Sequence, residues 1–336
     1  MQRAVVVIAC LGVLCSGAAA EAFRIEDVRS IAGLTAGRLK PHTIYFADQR
    51  KDELADPVTG LIRFEDWARA RPSQKQFLAL FPSYDEPAGE GGAKRKLHVY
   101  VAQARFLIAK QPASIDLARY ATIEFLERLD PAVKHRRISP ADALTRSDPN
   151  YADARHPDRQ WCEGVGIAIC TQSRYKFEGQ LPSGILLANK LREQGKQPIP
   201  DYIEFQSEIR LLSSQQPELS GVAQLTEFDG QVGGALEQSI FWVNHVIQFG
   251  KLLAVMQQNP ADPGTTVATV YVALAIKTEV LNRQKQYENV PILRNLVPAQ
   301  VLMGNSSFNS GNSISAGLPK YARNRIMAIA ELIERE

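Results

Sequence analysis

The side chains of this chain that could do chemistry are few and dispersed. Its five histidines, His42, His98, His135, His156 and His245, include no pair at i, i+4 and none beside a carboxylate pair at metal-ligand spacing. The pattern therefore offers no metal site. His245 falls in an apolar segment and reads as a hydrogen-bonded core histidine. A nucleophile elbow is missing, because Ser313-Ile314-Ser315-Ala316-Gly317 has serine where Gly-x-Ser-x-Gly begins with glycine. Ser173-Arg174-Tyr175-Lys176 matches Ser-x-x-Lys, yet it stands in an alternating stretch that sends Ser173 and Lys176 to opposite sides of a strand. Gly230-Gln231-Val232-Gly233-Gly234 lacks the preceding strand and downstream acid of a dinucleotide fingerprint and reads as a turn. No cofactor is implied.

Carboxylates remain as candidate acid and base, with Glu178, Glu204 and Glu208 the ones a hydrolase could use. Glu204 and Glu208 on one strand face would stand about 13 Å apart, at ~3.3 Å per residue, which exceeds the ~5–9.5 Å of paired glycosidic carboxylates. A secreted hydrolase with a carboxylate-based site is thus the second reading of the function. The first is a non-enzymatic binder of an apolar ligand or of a cell-envelope component.

The cysteines bear on where the protein works. Met1-Gln2-Arg3 is a short basic head, residues 4–14 are an unbroken apolar run, and Ser16-Gly17-Ala18-Ala19-Ala20 supplies small residues before Glu21. Residues 1–20 therefore read as a signal peptide, and the protein as exported, periplasmic or extracellular. Eleven apolar residues at ~1.5 Å each cover only about half of a ~30 Å hydrocarbon core, too little for a membrane anchor. Cys10 and Cys15 leave with that segment, so the mature chain keeps Cys162 and Cys170 in an oxidising compartment. With Gly164 and Gly166 between them to reverse the chain, they are expected to form a structural disulfide. Nothing in the mature chain is apolar over the length of a transmembrane helix.

A formal net charge of +3, from 39 basic against 36 acidic residues, produces no field able to steer a polyanion, so nucleic acid is not an expected partner. Lys94-Arg95-Lys96 and Lys134-His135-Arg136-Arg137 are short enough to be solvated faces. The expected partners are an apolar small molecule or lipid, or another envelope protein.

The elements that must position such a site suggest an α+β chain. A mainly helical N-terminal region over 21–157 is expected from apolar stretches at 61–70, 97–110 and 114–129, broken by Pro72, Pro112 and Pro131, with Ser114 as N-cap. An α+β domain over 158–336 follows. Alternation at 174–181 and 202–211 predicts half-buried strands, 185–194 a helix, and 249–257 with 265–280 an antiparallel hairpin. Residues 235–245 fit both periods and are read as helix. After the irregular 290–317, residues 320–335 carry Ala322, Ile326, Ile329, Ala330 and Ile333 on one helical face.

An antiparallel sheet with a C-terminal amphipathic helix across it would be helix-grip-like, by analogy of fold with helix-grip lipid binders. Such a wrap can enclose a cavity. Phe205, Ile209, Tyr271, Ala273, Ala275 and Phe308 are the expected ligand-lining residues.

Overall fold

A computed structural model describes residues 22–56, 60–70, 97–144, 161–176, 202–213, 216, 218–243, 247–277 and 314–335. Ten strands make one mixed sheet: β1 (Arg24–Val28), β2 (Thr43–Asp48), β3 (Ile62–Arg63), β4 (Leu97–Ile108), β5 (Val133–Arg137), β6 (Ile167–Lys176), β7 (Tyr202–Leu212), β8 (Val232–Val243), β9 (Ile247–Gln258) and β10 (Thr266–Lys277). Three short helices, α1 (Phe64–Ala70), α2 (Ile123–Leu129) and α3 (Glu218–Thr226), and the long terminal α4 (Ile314–Arg335) accompany it. The strand order is β1-β2-β4-β10-β9-β8-β7-β6-β5. β3 pairs with Val99 and His98 on the edge of β4 that β2 occupies further along. β1 runs parallel to β2, whereas the neighbours from β2 to β5 are antiparallel.

The helical N-terminal region expected over 21–157 is not what the chain builds. The stretch expected as helix at 97–110 is β4, paired with β10 at twelve consecutive positions. The reason lies in burial on both faces. Val99, Val101 and Gln103 are buried on one side and Tyr100, Ala102, Ala104 and Phe106 on the other, so the strand shows the continuous apolar run that periodicity cannot separate from a buried helix. Within 114–129 only α2 is α-helical. Its N-cap is Thr122, whose hydroxyl accepts from the Phe125 N–H, while Pro112–Ser114 and Leu117–Tyr120 are 3-10 turns. The third stretch yields just α1, with β3 ahead of it. Residues 235–245, also expected as helix, are strand as far as Val243, again because both of its faces are covered. The hairpin is present as β9 and β10, the alternating 202–211 is β7, and the terminal helix is α4. The helix expected at 185–194 and residues 290–313 of the irregular 290–317 lie outside the described residues, while 314–317, expected as irregular, already belong to α4.

Alternation divides the sheet into two faces. On the inner face, Ala104, Phe106, Val270, Val272, Leu274 and Ile276 form one core with Ala322, Ile326, Ile329, Ala330 and Ile333 of α4. Each of the larger side chains, Val, Leu, Ile and Phe, contributes about 1.5–3 kcal/mol on burial. On the outer face, Val99, Val101, Leu253, Val255, Tyr271, Ala273 and Ala275 pack with Trp67 of α1 and Leu219, Val222 and Leu225 of α3.

The half of β7 expected to face water is buried in part: Gln206 accepts from the Leu144 N–H at 2.8 Å, and Glu208 accepts from the Cys162 N–H at 3.0 Å. Segments that a local pattern cannot anticipate lie over these side chains. Cys162 and Cys170 stand at disulfide distance with Cα atoms 5.5 Å apart. Between them Gly164 and Gly166 take φ of +117° and +82°, conformations that favour glycine. Among the described residues no helix is long and apolar enough to cross a membrane.

Candidate functional site

A cavity lies on the inner face, between the middle of the sheet and α4. Its floor is Ile209 of β7, Leu236 and Gln238 of β8, and Leu252, Ala254 and Met256 of β9; α4 supplies Arg325, Ile329 and Ile333. Leu117, Tyr120 and the α2 residues Phe125, Leu126 and Leu129 close it. The centre of a water-sized sphere has about 30 Å³ to move in. By that measure a single water needs about 10–15 Å³, so the space holds a water or two in a lining that is apolar except at one end.

That end belongs to a chain of side-chain hydrogen bonds running across four strands. His135 Nδ1 on β5 lies 2.7 Å from the Ser173 hydroxyl on β6, and Ser173 is 3.4 Å from Thr171. Thr171 and Ser207 are 3.1 Å apart, and the Gln238 amide donates to Ser207 at 3.1 Å. Arg325 of α4 completes the chain, its Nη2 donating to Gln238 Oε1 at 3.4 Å. Ser173, Thr171 and Ser207 are fully buried. The strand period explains the alignment, because these residues meet in register on one face: His135 opposite Ser173, Thr171 opposite Ser207, and Ile209 opposite Gln238.

Two polar atoms of this chain have no partner: Arg325 Nε and His135 Nε2 are both shut away from solvent. Burial holds the His135 pKa well below its ordinary 6.5, at about 4, and the positive charge of Arg325 pushes in the same direction. The ring is therefore neutral at pH 7, and the cation at the cavity is Arg325.

The expected ligand-lining residues are divided between the two faces. Ile209 lines the cavity. Phe205 shares its side of β7 but is half-buried further along the strand, opposite Ser173. Tyr271, Ala273 and Ala275 are on the outer face, packed in the core with α1 and α3. The Tyr271 hydroxyl donates to the Leu225 carbonyl at 2.9 Å near the end of α3, and burial raises its pKa. Phe308 lies outside the described residues.

The carboxylates are placed just as plainly. Arg174 donates to Glu204 at 2.9 and 3.2 Å, Glu208 is under Cys162, and Glu178 is outside the described residues. No group of three His, Cys, Asp or Glu side chains able to hold a metal occurs among the described residues.

Gln238 and Arg325 are the functional candidates that sequence reasoning passed over. For Arg325 a signal existed: it stands three residues after Ala322 and four before Ile329, a cation placed on the apolar stripe of α4. For Gln238 the signal was lost by reading 235–245 as helix, since only the strand period puts it beside Leu236 on one face.

No protein-family model matches the chain, and no curated protein matches it. Among solved structures it is similar to Ara h 8.0201, at 10% identity and a TM-score of 0.30, over 71% of this chain and 99% of that one. It is also similar to norcoclaurine synthase from Thalictrum flavum in complex with dopamine and hydroxybenzaldehyde, at 11% identity and a TM-score of 0.29, over 71% and 88% of the two chains. Likenesses this loose carry no inference about the present chain.

Proposed function

We propose that this protein is an exported binder of an apolar small molecule, held between the inner face of the sheet and α4. The observation that supports the reading is the cavity itself, a space lined by aliphatic and aromatic side chains with Gln238 and Arg325 grouped at one end. Apolar walls with a few convergent polar groups are the usual make-up of a small-molecule site. Burial drives the ligand in, and the polar end orients it.

Sites for drug-sized ligands measure about 300–1,000 Å³, so uptake of more than a small fragment requires the wall to yield. The elements that close the cavity are short: a 3-10 turn at Leu117–Tyr120 and the seven-residue α2. Their displacement, leaving the sheet and α4 in place, is the proposed route of entry.

Native mass spectrometry of the protein isolated after export, before and after extraction with organic solvent, tests the reading. A ligand mass that extraction removes and that the stripped protein takes up again is expected. A protein with no bound mass, and no uptake of hexanoate, decanoate or the matching alcohols, would reject it. Normal export of a chain lacking residues 4–14 would separately reject the signal-peptide part.

A further inference from the structure

We infer that the cavity selects a monoanionic amphiphile, an apolar body bearing a single carboxylate, whose headgroup is paired by Arg325. The inference rests on the cavity being the binding site and goes further by naming the chemistry of the ligand.

The argument starts from the electrostatics of the lining. Arg325 carries the charge among the residues of the cavity, and its polar contact there is one long hydrogen bond, Nη2 to the neutral Gln238 Oε1 at 3.4 Å. Its Nε is buried without a partner. No described carboxylate forms an ion pair with it, although Glu127 and Asp130 are near enough to His135 to act on that ring. Arg325 is half-buried, so part of its charge is met by water, but its Nε donor is buried and unmet beside an apolar space, a cost that an anion would relieve.

The geometry then specifies the anion. Nε and Nη2 of a guanidinium form a fork that matches the two oxygens of a carboxylate; in Arg325 the Nε arm has no partner and the Nη2 arm has only its long bond to Gln238, which a carboxylate would share or displace. One cation balances one negative charge. A phosphate monoester would bring nearly two charges, and no second cation lines the cavity to meet the other.

Gln238 fixes the direction of the fork. Its amide nitrogen is occupied by Ser207, so its oxygen is turned to Arg325 and holds the guanidinium at the cavity end of α4. Of the remaining lining only Tyr120 carries a hydroxyl, and the walls made by Leu236, Leu252, Ala254, Met256, Ile329 and Ile333 suit a hydrocarbon body.

The test compares acids with alcohols of the same length. Binding of hexanoate, decanoate, 1-hexanol and 1-decanol to the stripped full-length protein at pH 7.5 is measured by calorimetry. The inference expects each acid to bind at least tenfold tighter than its alcohol, and Arg325→Gln to narrow that ratio to within about twofold. Arg325→Lys, which keeps the charge and loses the fork, should give an intermediate ratio.

Equal affinity of acid and alcohol for the unaltered protein would overturn the inference and leave the apolar-binder reading standing. An acid preference that survives Arg325→Gln in a variant with unchanged thermal unfolding would also overturn it. Failure of all four compounds to bind would overturn both. Because the acid-to-alcohol ratio is read first on the unaltered protein, a variant that does not fold still leaves a deciding result.

Discussion

The two faces of the sheet use the same strands to opposite ends. On the outer face, Arg105 of β4 is wholly buried and each of its contacts is structural. Its guanidinium donates to the carbonyls of Ile31, Leu34 and Thr226 and to the Thr269 hydroxyl, and it stacks 5.1 Å from the Phe228 ring. Tyr271 likewise meets the Leu225 carbonyl. On the inner face, Arg325 has one long hydrogen bond and a buried nitrogen with no partner.

The two cations differ in burial, Arg105 being fully enclosed and Arg325 half-buried, and they differ as much in how far their donors are satisfied. The outer arginine ties a loop, a strand and the C-terminal end of α3 together, where backbone carbonyls favour a positive charge. The inner one has donors to spare beside an apolar space.

That contrast is most easily broken at Arg105. Replacing it with leucine strands the carbonyls of Ile31, Leu34 and Thr226, two of them in buried bonds and one part-buried, and the expected loss is at least about 3 kcal/mol in denaturant unfolding. A loss below 1 kcal/mol would show that the outer face tolerates unpaired groups as the inner one does. Next is the cysteine pair, which fastens the segment over Glu208 on the outer face. Cys162→Ser with Cys170→Ser should cost about 2.5 kcal/mol, because so short a loop constrains the unfolded chain in the entropic account. Mass analysis of the protein isolated without reductant should show the bond as a two-proton difference on reduction, and free thiols would contradict it.

A matched pair of substitutions compares the faces directly. Ala273→Phe on the outer face should overpack a full core and cost about 1–3 kcal/mol. Ala254→Phe places the same ring in the cavity, so its stability loss should be the smaller of the two while decanoate affinity falls at least tenfold. Equal stability losses with no effect on binding would move the site elsewhere.

The remaining effect is that of pH, and it is confined to acid solution. His135 is held near 4 when folded against 6.5 when unfolded, so between those values the unfolded chain binds the extra proton. Stability should decline as pH falls from about 6.5 to about 4, and His135→Gln should flatten that part of the profile. A profile unchanged by the substitution would show that the ring is not held neutral.

How much of this was legible in the sequence depends on burial. The outer-face and inner-face sets of β10 could be read as two alternating rows, and β7 and α4 were legible because one side of each is polar for much of its length. β4 and β8 were not. Residues apolar or buried on both faces carry no period, so tertiary pairing, here of β4 with β10, decides what local pattern leaves open. For the same reason the site was half-read: Ile209 was reachable from the alternation of β7, while Tyr271, Ala273 and Ala275 belong to the other row of an equally apolar strand. Nothing local says which row faces the helix.

Methyl NMR of the stripped protein titrated with decanoate tests the central claim most directly, because both faces carry assignable reporters. The account predicts shifts at Ile209, Leu236, Ile329 and Ile333, which line the cavity, with Val222, Leu225, Leu253 and Val255 of the outer core left in place. Saturable shifts concentrated in the outer set, or none in either set, would contradict it.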